Sequence, residues 1–297
     1  MSRRSQKSPA SPPPPPVVEG AWLLKAFAVV IVVAFLCTYA TLCTLFYKTQ
    51  WRLVLHPART TASAENLIHF FPGISGQPQL TGEWLPATAT NSYNRLTVLF
   101  LAGGDATRSD FAETQSALRD LGLNVFTFDY RGYGASANIH PSQQQMTEDS
   151  EAAWRYLTDS RGVSRSAILP YGVGVGASLA LGLATSHPDT PGVILDSPHT
   201  DLCDALRNDS RFRFLPVGLL CHEDFPLIKP LSDFKRPKLL ITHGQASESG
   251  AFGAAADPKI VVSLTRSTGP NFVQAVSRFL DQDVMVSTPA PSGIKLH

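Results

Sequence analysis

The chain has 297 residues, and its 25 Lys and Arg against 24 Asp and Glu leave a net charge of +1, which carries no basic footprint for nucleic acid. A hydrophobic share of 43% excludes a wholly disordered chain, and four cysteines in this length exclude a small disulfide scaffold. Charged residues make up 16%, below the roughly 25% usual in soluble domains, and part of that deficit falls in one uncharged run near the N-terminus.

Residues 1–21 form a polar, proline-rich tail. Arg3, Arg4 and Lys7 precede Pro12 to Pro16, a run that favours an extended polyproline II rod and is read as a solvated spacer. Residues 22–47 are read as a transmembrane anchor. The 22 residues from Ala26 to Tyr47 contain no charge and reach about 33 Å as a helix, enough for the hydrocarbon core. Trp22 and Tyr47 lie near its ends, where interfacial rings prefer to be. The apolar run is too long for a signal peptide, and no small-x-small cleavage site follows. A slight excess of Arg and Lys before the run favours an N-terminus in the cytoplasm and a globular domain outside it.

A linker is expected over 48–64, a globular domain over 65–283 and a flexible tail over 284–297. Within the domain, strands are predicted at Arg95 to Leu101, Asn124 to Phe128, Ser166 to Leu169, Gly192 to Leu195, Lys238 to Thr242 and Lys259 to Leu264. Helices are predicted at Phe111 to Leu121, Thr147 to Leu157, Val175 to Ser186 and Asn271 to Leu280. This alternation implies an α/β fold, a mostly parallel sheet with helices on both faces and its site at the carboxyl ends of the strands.

Phe128 to Ser136 reads F-D-Y-R-G-Y-G-A-S, followed by Leu195-Asp196-Ser197-Pro198, His243-Gly244 and Gly269-Pro270-Asn271-Phe272. These stretches, in this order, resemble the α/β-hydrolase superfamily, in a membrane-anchored serine-hydrolase and serine-peptidase-like branch. Gln50 to Pro57 is similar to that branch's post-membrane segment. The resemblance implies an α/β-hydrolase fold after one N-terminal transmembrane helix, and a nucleophile elbow G-x-S-x-G on a strand-to-helix turn.

The chain departs from that pattern at the catalytic positions. The elbow is Gly172-Val173-Gly174-Val175-Gly176, so the nucleophile position is Gly174. The acid position falls on Ser247, beside Glu248, and the base position falls on Pro270. Between His243 and His297 there is no histidine. The resemblance places an oxyanion region at Gly103, Gly104 and Val175, with Asp105 next to it. A triad needs nucleophile, base and acid together. The expectation is therefore a pseudoenzyme, a membrane protein that binds a hydrophobic small molecule or a protein partner, with no cofactor, metal or nucleic acid.

An active esterase, lipase or peptidase with relocated groups is the alternative. Ser178 and the neighbours Ser197, His199 and Asp201 are the groups to weigh, with loop or backbone-bonding roles as the simpler reading. A second alternative takes Gly172, Gly174 and Ala177 as a G-x-G-x-x-A dinucleotide fingerprint, with Asp196 as the ribose-binding acid. Cys203 and Cys221, the only cysteines outside the anchor, lie in the segment that covers the site in this family. They could pair if the domain is exported.

Overall fold

The computed structural model describes residues 20–59, 67–73, 78–199, 201–244 and 250–285. The proline-rich tail, Ser247 and Glu248, and the tail from residue 286 lie outside the described residues. Gly20–Thr49 forms one 30-residue helix, α1. It is apolar on every side and long enough to cross a membrane. Its threonines suit that setting: the hydroxyls of Thr38, Thr41 and Thr44 donate to the carbonyls of Ala34, Cys37 and Ala40, at 2.9, 2.8 and 2.8 Å. These three hydroxyls therefore need no water. The helix to Phe46 and the chain from Tyr47 onward are separate compact units.

The second unit is built on an eight-stranded sheet. Its strands are β1 (Ile68–Phe70), β2 (Leu80–Leu85), β3 (Thr97–Leu101), β4 (Asn124–Asp129), β5 (Ile168–Val173), β6 (Val193–Asp196), β7 (Lys238–Thr242) and β8 (Lys259–Ser263). The spatial order is β1-β2-β4-β3-β5-β6-β7-β8. Only the pairings of β2 with β1 and β4 are antiparallel; from β4 to β8 every pairing is parallel. The helices are α2 (Ala112–Leu121), α3 (Gln143–Arg155), α4 (Gly176–Ser186), α5 (Leu202–Asn208), α6 (Val217–Leu220), α7 (Ile228–Asp233), α8 (Gly250–Ala254) and α9 (Gly269–Phe279).

The central strands are buried on both faces, which is why they read as continuous apolar runs rather than alternations. One face packs Leu99, Leu101, Phe126 and Phe128 against Met146, Trp154, Leu181 and Leu183 of α3 and α4. The other packs Val98, Phe100 and Tyr171 against Leu118 of α2 and Phe272, Val276 and Phe279 of α9.

The stretch expected as a linker is part of the domain where it is described. Leu55 is buried in the core, the His56 N–H donates to the Gly104 carbonyl at 2.7 Å, and the Gly134 N–H donates to Ala58 at 2.8 Å.

The D-Y-R-G-Y-G-x-S loop is held by two buried carboxylates. Asp129 accepts from the backbone N–H and the Nε of Arg108, both at 3.1 Å, and from the Ala135 N–H at 3.3 Å. Gly134 has φ +46°, and a Cβ there would lie 2.1 Å from Asp129 Oδ2, so only glycine fits. Arg131 donates from its N–H and Nε to the two oxygens of Asp149 on α3, at 2.9 and 2.6 Å. Tyr133 Oη donates to the Gly104 carbonyl at 2.6 Å, which ties this loop to the turn after β3.

At the opposite end of the sheet, Lys238 opens β7 with its side chain fully buried. Nζ donates to the carbonyls of Ala256 and Pro258 at 2.6 and 3.1 Å. Burial lowers its pKa from 10.5 to about 8. Between those values the unfolded chain holds the proton and the folded chain has released it, so folding stability rises with pH. Thermal unfolding between pH 8 and pH 10 should show this rise in the native chain. It should be weaker in Lys238→Met, which keeps the length and removes the charge. Above pH 10 the sign reverses, because Tyr93 is pushed up to about 12 and buried Tyr130 and Tyr171 are raised further, so the unfolded chain ionises first.

Between β6 and β7 the chain forms a cap from α5 to α7. Cys203 and Cys221 are disulfide-bonded there, with Cα atoms 5.8 Å apart and a sequence separation of 18. Closing a loop of that length contributes about 3 kcal/mol in the chain-entropy account.

Candidate active site

The carboxyl ends of β3, β5, β6 and β7 converge on Gly174. This residue has φ +57°, the left-handed backbone of a tight strand-to-helix turn. Its N–H donates to the Asp196 carbonyl at 2.9 Å, which fixes the turn to the end of β6. Gly172 and Gly176 allow β5 and α4 to meet: a Cβ on Gly172 would lie 2.1 Å from the Gly176 carbonyl oxygen. The glycines are thus explained by the turn itself.

Above the elbow the place of a nucleophile is partly taken. A Cβ on Gly174 would come 3.3 Å from Nε2 of His199 and 4.0 Å from the Cα of Gly103. Gly103 and Gly174 are therefore close neighbours at this turn, with Val175 next in the chain. Gly104 is wedged more tightly; its Cβ would lie 2.7 Å from Leu55 Cδ2 and 3.0 Å from Val175 Cγ2. The Asp105 carboxylate is 3.0 Å from the Cβ position of Gly103.

Beside the elbow lies a polar cluster centred on Asp196, which is 2% exposed. Its Oδ1 accepts from Ser197 Oγ at 3.0 Å and meets His243 Nε2 at 2.9 Å. Its Oδ2 accepts from Tyr171 Oη at 2.8 Å and from Ser267 Oγ. Burial, then the Asp196 charge, raises the Tyr171 phenol well above its ordinary value, so it remains a donor. Both carboxylate oxygens are occupied, and neither is left for the ribose hydroxyl of a bound dinucleotide.

The other candidates separate. Ser178 donates to the Pro226 carbonyl at 2.7 Å, a backbone-bonding role. Ser197 has φ +48° and bonds its neighbour Asp196. Asp201 accepts from the N–H groups of Leu227 and Ile228 at 2.7 and 3.0 Å. Ser197, His199 and Asp201 therefore form no relay among themselves. Pro270 stands in the first turn of α9, where a missing N–H costs nothing. No cluster of three or more His, Cys, Asp or Glu suited to a metal occurs among the described residues.

A profile of the serine aminopeptidase S33 family matches residues 92–290. The chain belongs to that family of α/β-hydrolases. It is 30% identical over 281 residues to Uncharacterized protein MT2364 of Mycobacterium tuberculosis, covering 88% of this chain and 97% of that protein. It is 31% identical over 196 residues to the human Alpha/beta hydrolase domain-containing protein 17C, covering 64% of this chain and 57% of that protein. Among solved structures, an esterase from Pyrococcus furiosus superposes with a TM-score of 0.57 at 19% identity, covering 77% of this chain and 97% of the esterase. A proline iminopeptidase from Mycobacterium smegmatis superposes with a TM-score of 0.55 at 13% identity, covering 75% and 100%. At these identities the structural likeness establishes the fold.

The sequence analysis names His243 only as a strand end and does not single out Ser267. The signal for His243 was available: β6 and β7 are parallel neighbours with Asp196 paired to Ile241, so His243 follows two residues beyond the acid's partner. Nothing around Ser267 marks it.

Proposed function

We propose that this chain is a single-pass membrane protein whose α/β-hydrolase domain has lost triad hydrolysis and serves to bind or scaffold, with a hydrophobic small molecule or a protein partner as its ligand. The observation that carries the reading is Gly174, an elbow with no nucleophile, with the His199 imidazole 3.3 Å from where its Cβ would be. Pro270 at the base position supports it, because its ring cannot take up a proton. Ser247 stands at the acid position by sequence alone. The full-length protein in detergent should give no turnover of activated short-chain esters above buffer, and no labelling by a fluorophosphonate. Turnover that is stoichiometric with labelling would overturn the reading.

A second reading, hydrolysis by relocated groups, has one observation in its favour. Ser267 Oγ is 3.1 Å from His243 Nε2, which meets Asp196. The same nitrogen faces both partners, while Nδ1 faces the Leu264 carbonyl at 3.3 Å. A relay needs two different ring nitrogens, one for the nucleophile and one for the acid. The trio therefore supports a fixed network better than a catalytic one. Turnover abolished by Ser267→Ala would favour this second reading.

In this reading the globular domain lies outside the cytoplasm. The excess of Arg3, Arg4, Lys7 and Lys25 before the uncharged run supports this, as does the Cys203–Cys221 bond, which persists in oxidising compartments. A reporter that is active only after export should be active when fused at Asp281. Activity of a cytoplasm-only reporter there would reverse the topology.

A further inference from the structure

The cap carries exposed apolar side chains, and its end at Leu220 and His222 is bonded to Gln50. Phe214 is 74% exposed and Leu219 86% exposed; Leu53, in the turn just after α1, is 49% exposed. Isolated exposed leucines are ordinary, but a group of large apolar side chains around one place on the chain marks a contact surface.

These segments are clamped together by one buried amide. Gln50, 2% exposed, is the residue after the last residue of α1. Its Nε2 donates to the Leu220 carbonyl at 2.9 Å and approaches His222 Nδ1 at 2.6 Å. Its Oε1 accepts from the His222 N–H at 3.0 Å. Tyr47 packs on the His222 ring at 4.6 Å, and Trp51 meets His140 edge-on at 3.7 Å, next to the exposed Ile139. The Cys203–Cys221 bond anchors the cap one residue before His222.

We infer that the tip of the cap, Phe214 to Leu219, together with Leu53, docks into the headgroup and acyl boundary of the bilayer that α1 spans. The inference rests on the proposed membrane anchoring. A helix that crosses the hydrocarbon core delivers Thr49 to the interface, and Gln50 then holds Leu220 and His222 within hydrogen-bond reach of that exit point. Leu219 is therefore presented to the interface by covalent connectivity and a buried clamp. The charges suit the same occupant. Lys48 and Arg52 flank the exit, and the Arg213 guanidinium lies over the Phe214 ring at 4.4 Å, a cation beside an aromatic that partitions to the headgroup level.

The test uses the full chain with Cys37→Ser and Cys43→Ser, reconstituted in vesicles of phosphatidylcholine and phosphatidylserine, the Cys203–Cys221 bond kept oxidised. Nitroxide labels are placed by Phe214→Cys, Leu219→Cys and, as a control on the β8 edge, Val261→Cys. Labels at 214 and 219 should show an oxygen-to-nickel-complex accessibility ratio several-fold above that at 261. An aqueous ratio at both cap positions, in protein that resists carbonate extraction, would overturn the inference while leaving the anchor standing. Extraction by carbonate would instead sink the anchoring itself. Spin–spin broadening at 219 that vanishes on dilution with unlabelled protein would assign the patch to a second copy of the chain and also overturn the inference.

Discussion

Asp149→Ala should lower the unfolding free energy of the domain by about 3–5 kcal/mol at neutral pH, the scale for breaking a buried ion pair from one side. Asp149 is fully buried and holds both the N–H and the Nε of Arg131, which is itself 7% exposed. Without it the guanidinium retains the Gln145 carbonyl and the half-exposed Glu148 as partners, neither of which restores the two bonds lost. Burial, outweighing Arg131, pushes the Asp149 carboxyl up from 3.8 to about 6. The unfolded carboxyl ionises first, so between these values Asp149 makes stability fall as pH rises. The loss in Asp149→Ala should therefore be measured above pH 6, where the carboxylate is charged and the pair is complete. Chemical denaturation of the native and variant chains in the same detergent reads the difference. A loss below about 1 kcal/mol, the scale of a surface pair, would show that Arg131 finds solvent or Glu148 instead.

That ion pair explains why the D-Y-R-G-Y-G-x-S stretch is so recognisable. Its residues build a turn rather than perform chemistry. Asp129 fills the space a side chain at Gly134 would need, Arg131 reaches α3, and Tyr133 reaches Gly104. A motif of this kind transmits fold faithfully and says nothing about activity. The same separation accounts for what was legible elsewhere. The buried strands at 97–101, 124–129, 193–196 and 238–242 declare themselves because parallel strands covered on both faces are continuous apolar runs. β1 and β2 do not, because Ile68–Phe70 is three residues long and Leu80–Leu85 contains Gly82 and Glu83. β5 extends to Val173, beyond the expected end at Leu169, because Pro170 and Gly172 look like breakers; Pro170 pairs with Leu99 of β3, and the register with β6 begins one residue later, at Tyr171. α3 starts at Gln143, four residues before the expected Thr147, because the Ser142 hydroxyl caps it by accepting from the Gln145 N–H at 3.3 Å.

The candidate site divides in the same way. The tight turn at Gly172 to Gly176 was legible, since its glycines stand together in the sequence and φ +57° at Gly174 requires one. The cluster of Tyr171, Asp196, His243 and Ser267 was not, since its members come from three strand ends and the turn before α9, and only strand order brings them together. His199 was read as a loop histidine. Its chemical importance comes from a distance to an atom the protein does not have.

Gly174→Ser should therefore convert the full-length protein from unreactive to measurably labelled by a fluorophosphonate, on this single change. The backbone at Gly174 already has φ +57°, the strained conformation that the G-x-S-x-G elbow imposes on its serine. The added Cβ would lie 3.3 Å from His199 Nε2, so the imidazole must yield by a few tenths of an ångström. His199 is exposed, which leaves it room to do so. It then stands within hydrogen-bond reach of the new hydroxyl, where a general base contributes about 10²–10⁴-fold. Pro270 still stands in the first turn of α9, where the resemblance expects a base, so full turnover is not expected. Labelling in Gly174→Ser should rise at least about 10²-fold over the native chain and fall back on adding His199→Ala. Adding Pro270→His should change it less, since the His199 imidazole already lies beside the elbow. Equal labelling of Gly174→Ser with and without His199 would show that the imidazole over the elbow is a steric plug rather than a latent base.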